Sequence, residues 1–169
     1  MREFDQFVAA HADDLLRTAY LIVWDEGEAE DLVQDCLLKV ARRWPRVRRM
    51  KQPRAYARRI LVNLALDGAQ RRARRHRELE PEAVDSRPAF DPLPALDTRA
   101  ELLQALGQLQ ERQRAVLVLR YFNDLTEAQV ADVLGCSPGT VKSSASRGLA
   151  RLREALQPVP LDQGATQHE

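Results

Sequence analysis

Polar side chains between residues 140 and 147 have the chemical types and the spacing needed to read base pairs. Their hydroxyl, ammonium and guanidinium groups can hydrogen-bond to base edges and phosphates in the major groove of DNA. Spacings of three and four residues would place them together on one face of an α-helix. The set is Thr140, Lys142, Ser143, Ser146 and Arg147. This pattern indicates a DNA-recognition helix, provided that the chain holds the helix at its surface.

The residues around this set supply the elements that such a helix needs. Thr126 and Gln129 have the spacing of a capping box, which begins a first helix. Gly135 ends that helix, because glycine adopts the positive φ of a helix C-terminus at little steric cost. Ser137 then caps a second helix, and Pro138 occupies its first turn, where an N–H is not needed. The segment is therefore predicted to be a helix-turn-helix.

A second candidate surface lies on a helix predicted from Glu28 to about Trp44. On it, Asp31, Gln34, Asp35 and Leu38 recur at i, i+3, i+4 and i+7, opposite an apolar side. Two carboxylates beside a glutamine and a leucine suit docking against a basic partner helix. A solvated helix face would carry similar charges, so the residues alone leave both interpretations open.

The charges are arranged in blocks, although the net charge is only +1. Residues 1–36 carry ten acids and two bases, and residues 38–77 carry fifteen bases and the single acid Asp67. Residues 78–101 return to seven acids against two bases. The basic block predicts a nucleic-acid surface, since no nearby acids balance it. The alternative is a solvated arginine-rich face.

Helical periodicity predicts an all-α protein made of two small helical domains. The first domain covers residues 1–75 and includes a helix that begins near Pro53. Residues 76–97 are rich in proline and acids without any period, which predicts an extended acidic linker. The second domain, residues 98–157, ends in the helix-turn-helix, and residues 158–169 are predicted to form a disordered tail.

The sequence also argues against several classes of function. No apolar stretch approaches the roughly 20 residues of a transmembrane helix, so we expect a cytoplasmic protein without membrane insertion. Cys36 and Cys136 are expected to be small packing residues rather than a disulfide or metal site. The three histidines are scattered, and no nucleophile–base pair or carboxylate cluster is apparent. We therefore predict no metal, no cofactor and no enzymatic activity.

Three segments in order resemble an ECF-type sigma factor, a group 4 member of the sigma-70 family. These segments are AEDLVQDCLLKVARRW, PRAYARRILVNLALDGAQRRARR and the run from LPALDTRAELLQ to SRGLARLR. The similarity covers about residues 3 to 156 and is greatest to the sigma-E-like branch of actinobacteria. It implies a first domain like sigma region 2 and a second domain like sigma region 4.

The resemblance implies partners and a role for each surface. Asp31, Gln34, Asp35 and Leu38 would dock on the β′ clamp coiled coil of core RNA polymerase, and the second domain would meet the β flap. Asn63 would line a pocket for a flipped base of the promoter minus-10 element. The backbone clamps on the separated strand would be Arg58, Arg59, Arg71 and Arg72.

The same resemblance assigns minus-35 recognition to the polar set of residues 140–147. Ser146 departs from the bulkier residues common in the family at its position. Residues 46–51 correspond to the loop that varies with minus-10 specificity. In the family the linker runs toward the RNA exit path, where its acids would occupy a channel built for phosphates; the alternative is that they keep the linker soluble.

We therefore predict an alternative sigma factor that binds core polymerase and promoter DNA and directs promoter melting and transcription initiation. ECF sigma factors are often held by anti-sigma factors, but many members of the sigma-E-like branch have no adjacent one, so the resemblance leaves this partner open. The alternative is a free-standing helix-turn-helix regulator, which would need a ligand pocket, a phosphoacceptor site or a dimer helix. The sequence offers none of these features.

Overall fold

The structure, a computed structural model, describes residues 2–79 and 98–157. These residues form helices and connecting turns without any strand, which confirms the all-α prediction. The elements in chain order are α1 (Arg2–Val23), α2 (Glu26–Arg42), α3 (Trp44–Val47), α4 (Pro53–Leu79), α5 (Thr98–Gly107), α6 (Glu111–Leu117), a π-helical turn (Val118–Phe122), α7 (Glu127–Leu134) and α8 (Pro138–Ala155).

The first domain is built from α1, α2 and α4, whose apolar sides meet in a common core. Leu15 and Ile22 of α1, Val40 of α2 and Leu61 of α4 are almost completely buried there. The helix α1 is continuous and stops at Trp24, which has a positive φ of 60°. The Asp25 carboxylate then accepts a 2.7 Å hydrogen bond from a first-turn N–H of α2, so the break between the two helices is set locally.

The connection between α2 and α4 differs from the sequence prediction. The helix α2 ends at Arg42, and Trp44–Val47 forms the short helix α3, with Pro45 in its first turn. Part of the expected loop at residues 46–51 is therefore helical. The Trp44 ring lies 5.3 Å from the rings of both Phe4 and Phe7 of α1. This aromatic packing holds α3 against the domain.

The helix α4 also runs further than expected, because residues 76–79, predicted as linker, continue the helix to Leu79. The reason is local: arginine, leucine and glutamate favour helix, and the first proline comes only at Pro81. The remaining linker prediction for residues 80–97, and the tail prediction for residues 158–169, lie outside the described residues.

The second domain confirms the helix-turn-helix. The Thr126 side chain accepts from Gln129 N, the Gln129 side chain accepts from Thr126 N, and Gly135 has a φ of 64°. Ahead of it, the helix that begins at Glu111 changes at Val118 into a π-helical turn. There the Asn123 N–H donates to the Val118 carbonyl, five residues back. The wider turn redirects the chain into α7.

The two domains pack against each other, with α6 and the π-helical turn on α1, and α7 on α4. Buried apolar residues from both domains form one continuous cluster, which includes Ile22 and Leu61 from the first domain and Val116 and Leu119 from the second. No helix in the described ranges has the length and apolar character needed to cross a membrane.

Candidate nucleic-acid interface

The second helix of the helix-turn-helix, α8, exposes all five side chains of the predicted recognition set. The opposite side of α8 is fixed in the domain, where Val141 and Ala145 are buried. Gly148 lies so close to Leu117 that an added Cβ would sit 3.2 Å from a Leu117 methyl group. The helix therefore has one orientation, and its polar face points away from the core.

The start of α8 is set by side-chain capping. Ser137 Oγ accepts a 3.1 Å hydrogen bond from Thr140 N and lies 2.9 Å from Thr140 Oγ1. Ser143 Oγ donates to the Thr140 carbonyl at 3.1 Å. Lys142, Ser146 and Arg147 make no hydrogen bond or ion pair with other residues in the described ranges. Their polar groups are thus available to an external partner, next to a helix N-terminus of the kind that enters the major groove.

The stripe on α2 is likewise exposed. Asp31, Gln34 and Asp35 lie at the surface, and Leu38 beside them keeps 55% of its surface accessible. The other side of the helix buries Cys36 and its apolar neighbours. Neither carboxylate pairs with a base elsewhere in the described chain. The stripe therefore offers two unneutralised acids and one apolar contact to a partner.

The residues predicted to hold the separated DNA strand fall into two groups in the structure. Arg59, Asn63 and Arg71 are exposed along α4. In contrast, Arg58 is only 7% exposed and lies in a cleft that α7 closes from the other domain. Its Nε has no hydrogen-bond partner within the described chain. Burial lowers the pKa of the Arg58 guanidinium, and the nearby charge of Arg54 lowers it further.

Arg72 belongs with Arg58, because it too is engaged between the domains. Its Nη2 donates to Glu111 of α6 at 2.7 Å, and its Nη1 pairs with Glu28 of α2. Partial burial by itself lowers the pKa of Arg72, but the hydrogen bonds and charges of the two glutamates raise the pKa above its usual value. In this arrangement, therefore, Arg58 and Arg72 lie at the contact between the domains. Of the predicted DNA-strand arginines, Arg59 and Arg71 remain on the exposed face of α4.

A pocket of about 450 Å³ lies between α2 and α4 beside Asn63. It is lined by Lys39, Arg42, Arg43, Tyr56, Ile60, Asn63, Leu64 and Asp67. Arg43 Nη1 donates to the Tyr56 hydroxyl at 3.2 Å, which ties the two walls together. The cationic, aromatic and apolar groups of this pocket suit a nucleotide, whose phosphate is anionic and whose base is flat and largely apolar on its faces.

The resemblance implied a base pocket at Asn63, but sequence reasoning did not identify the other residues that line it. The signal was present as spacing: residues 39, 42 and 43 share one face of the α2 end, and residues 60, 63, 64 and 67 share one face of α4. What the spacing alone did not show was that these two faces oppose each other. Tyr56 gave no sequence signal of its own.

Neither cysteine nor any acid cluster provides a metal site in the described ranges. Both cysteines are free. Cys36 is completely buried and its Sγ donates to the Ala57 carbonyl at 3.2 Å. Burial raises the pKa of its thiol to about 12, so the sulfur stays protonated and contributes packing.

The comparisons with known proteins agree with the two-domain division. Residues 7–75 match the family model for sigma-70 region 2, and residues 99–152 match the model for sigma-70 region 4. The first match contains α2, α4 up to residue 75 and their pocket, and the second contains α8 up to residue 152. Both candidate DNA surfaces therefore lie inside recognised family regions.

Two relatives that match this chain over more than nine-tenths of its length are also sigma factors. The chain is 36% identical over 167 residues to the RNA polymerase sigma-E factor of Streptomyces coelicolor, covering 99% of this chain and 93% of the relative. It is 36% identical over 164 residues to the ECF RNA polymerase sigma factor SigE of Mycolicibacterium smegmatis, covering 92% of this chain and 62% of the relative.

A solved structure shares the arrangement as well as the sequence. The sigma factor RpoE of Bartonella quintana, in complex with the anti-sigma factor NepR, matches with a TM-score of 0.72 at 27% identity. The match covers 92% of this chain and 98% of that one. The chain belongs to the sigma-70 family of RNA polymerase sigma factors, in its two-domain ECF group.

Proposed function

We propose that this protein is an alternative sigma factor that binds core RNA polymerase and directs it to promoters. The first domain docks on the β′ clamp coiled coil through Asp31, Gln34, Asp35 and Leu38, and the second domain meets the β flap. The α8 face reads the minus-35 duplex, and the α4 face holds the melted minus-10 strand. The protein acts where the polymerase acts, in the cytoplasm.

The observation that supports this proposal is that one chain carries two differently shaped polar surfaces, the exposed face of α8 and the pocket beside Asn63. The α8 face is a convex row of polar side chains that suits an intact duplex. The pocket at Asn63 is concave, has a volume of about 450 Å³, and offers cationic and aromatic groups that suit an unpaired nucleotide. A duplex-binding repressor needs only the first surface, whereas a factor that opens DNA needs the second as well.

No covalent chemistry is needed for this role. Separating one stacked step costs roughly 1.4 kcal/mol, and binding of unstacked bases and phosphates offsets that cost. The pocket supplies base contacts, and Arg59 and Arg71 supply phosphate contacts along the exposed side of α4. Because the two domains contact separate DNA elements, their affinities reinforce each other once polymerase positions them.

We also propose an anti-sigma factor as a partner, because the RpoE structure contains one. An apolar groove of about 810 Å³ between α1, α5 and the π-helical turn is the surface for it. Tyr20, Leu102, Tyr121 and Phe122 line the groove and are substantially exposed. If a candidate anti-sigma factor inhibits transcription by this protein, Phe122→Glu should relieve the inhibition. Equal inhibition of the variant would exclude the groove.

The test of the main proposal is binding to purified core RNA polymerase. Wild type should bind, and the triple variant Asp31→Arg/Gln34→Ala/Asp35→Arg should lose binding. A matched control is Asp5→Arg/Asp13→Arg, which changes the net charge equally at exposed positions of α1, away from the stripe. If wild type fails to bind core but still binds specific DNA, the protein is a free-standing regulator and the sigma role is wrong.

A further inference from the structure

Asp67 is the single acid among fifteen bases in residues 38–77, and the structure places it in the pocket beside Asn63. It lies one helical turn after Asn63 on α4, so the two side chains line the same wall. On the same face of α4, Leu64 lies between Asn63 and Asp67, and Ile60 lies about one turn before Asn63. The acid is exposed and forms part of the pocket wall.

The carboxylate of Asp67 makes no ion pair and no hydrogen bond with the residues that the structure describes. This is notable because Lys39, Arg42 and Arg43 line the same pocket. Arg43 directs its Nη1 to the Tyr56 hydroxyl instead. An unpaired carboxylate weakens a site for phosphate alone, because like charges repel. Its place in the pocket is explained if the ligand also presents a hydrogen-bond donor.

The pocket has one set of groups that suits the phosphate of a nucleotide and another set that suits its base. The cations come from the α2 side and suit a phosphate, while Tyr56, Ile60 and Leu64 on the α4 side offer a surface for the flat face of a base. Asn63 and Asp67 then face the edge of that base. The asparagine amide both donates and accepts hydrogen bonds, whereas an ionised aspartate only accepts them.

We propose that Asp67 is a specificity-determining residue that selects a base with an exocyclic amino group at the captured position. Cytosine, adenine and guanine each carry such a donor. Thymine has no exocyclic amino group, and its one ring donor, N3–H, is flanked by the O2 and O4 carbonyls, so a carboxylate at this edge would face at least one acceptor. The inference rests on the proposed capture of an unpaired minus-10 base, and it adds that the exocyclic amino group of this base is recognised.

Two measurements separate this role from the sigma role itself. The first uses polymerase reconstituted with the full chain and a promoter library randomised across the minus-10 element, with sequencing of the transcripts. Wild type should reject thymine at one position. Asp67→Ala should raise the thymine share there roughly tenfold, the size of one lost base-edge hydrogen bond, and leave other positions unchanged.

Two further variants distinguish a base-reading role of Asp67 from a structural role. Asp67→Asn should also admit thymine, because its amide can donate to O4. Asp13→Ala removes an exposed acid from α1 and serves as the charge-matched control, so its base preferences should equal those of wild type. Uniformly reduced transcription in Asp67→Ala, with thymine still rejected, would show a structural role and overturn the proposal.

The second measurement does not depend on polymerase. The full ¹⁵N-labelled chain is titrated with dCMP, dAMP, dGMP and dTMP, and the amide signals of residues 63–67 are followed by NMR. Wild type should respond less to dTMP than to the other three, and Asp67→Ala should respond to all four alike. Equal responses in wild type would overturn the proposal for Asp67. If wild type discriminates but no promoter-specific transcript forms, the sigma role fails and the Asp67 selectivity stands.

Discussion

Arg114 Nε donates a 2.6 Å hydrogen bond to the carbonyl oxygen of Ile22, and this bond joins the two domains. The Arg114 Nη1 also donates to the carbonyls of Gly107 at 2.9 Å and Leu109 at 3.0 Å. Its guanidinium lies 5.9 Å from the centre of the Trp24 ring. A single buried cation on α6 therefore binds the end of α1, the end of α5 and the aromatic residue between α1 and α2.

Replacing Arg114 by Met should destabilise the protein strongly. Met keeps much of the side-chain volume but leaves three carbonyls without their donor, and hydrogen bonds to a charged group contribute about 1.5–3 kcal/mol each. We expect a loss of roughly 3 kcal/mol or more in the free energy of unfolding, measured by urea denaturation. Arg112→Met, at an exposed position on the same helix, is the control and should change little. Equal stability of the two variants would contradict the structure.

Gly107 provides a second test of the packing between the domains. An added Cβ there would sit 2.7 Å from Trp24 Cε2 and Nε1, which is closer than non-bonded atoms tolerate. Gly107→Ala should therefore cost about 1–3 kcal/mol in urea denaturation, as overpacking does. Gly27→Ala is the matched control, because the nearest atom to its new Cβ lies 3.6 Å away. A stabilising effect at both positions would show that α5 does not rest on Trp24.

Sequence reasoning worked where the structure depends on neighbours along the chain. The caps at Thr126 and Ser137, and the stop at Gly135, are local hydrogen-bonding and backbone preferences, and each was confirmed. The reasoning failed to anticipate the positions of Arg58 and Arg72 between the domains. Helical spacing shows which residues share a face, but what covers that face depends on contacts with distant segments, such as α6 and α7.

The minus-35 role of α8 predicts a selective effect of Arg147→Ala. The side chain is exposed on the recognition face and lacks an intramolecular partner in the described chain. The apparent free energy of binding to a matched promoter should weaken by about 1–3 kcal/mol, the cost of one lost base or phosphate contact. The measurement is transcription from that promoter as a function of the concentration of the protein. Arg153→Ala, near the end of α8 and on another side of the helix, should have a much smaller effect. A loss of binding to core polymerase in Arg147→Ala would contradict this assignment.

The burial of Cys36 predicts its reactivity and a pH effect. Because its pKa is about 12 in the folded protein against 9.0 as the ordinary value, the unfolded thiol ionises first as pH rises. Stability from this group is therefore complete below pH 9 and declines between pH 9 and 12. Iodoacetamide at neutral pH should modify the partly exposed Cys136 in the native protein and reach Cys36 only after denaturation. Labelling of both at equal rates would contradict the burial.

If Arg58 contacts promoter DNA, the domains must separate, since α7 now closes the cleft around its side chain. Asn123 Nδ2 donates to Thr18 Oγ1 at 3.2 Å across the domain contact. The two domains can therefore be cross-linked covalently at these two positions. In a Cys136→Ser background, oxidation of Thr18→Cys/Asn123→Cys to a disulfide should lock the domains together and abolish promoter-directed transcription. Each single cysteine variant, treated in the same way, should keep it. Full transcription by the cross-linked protein would mean that Arg58 takes no part in DNA binding.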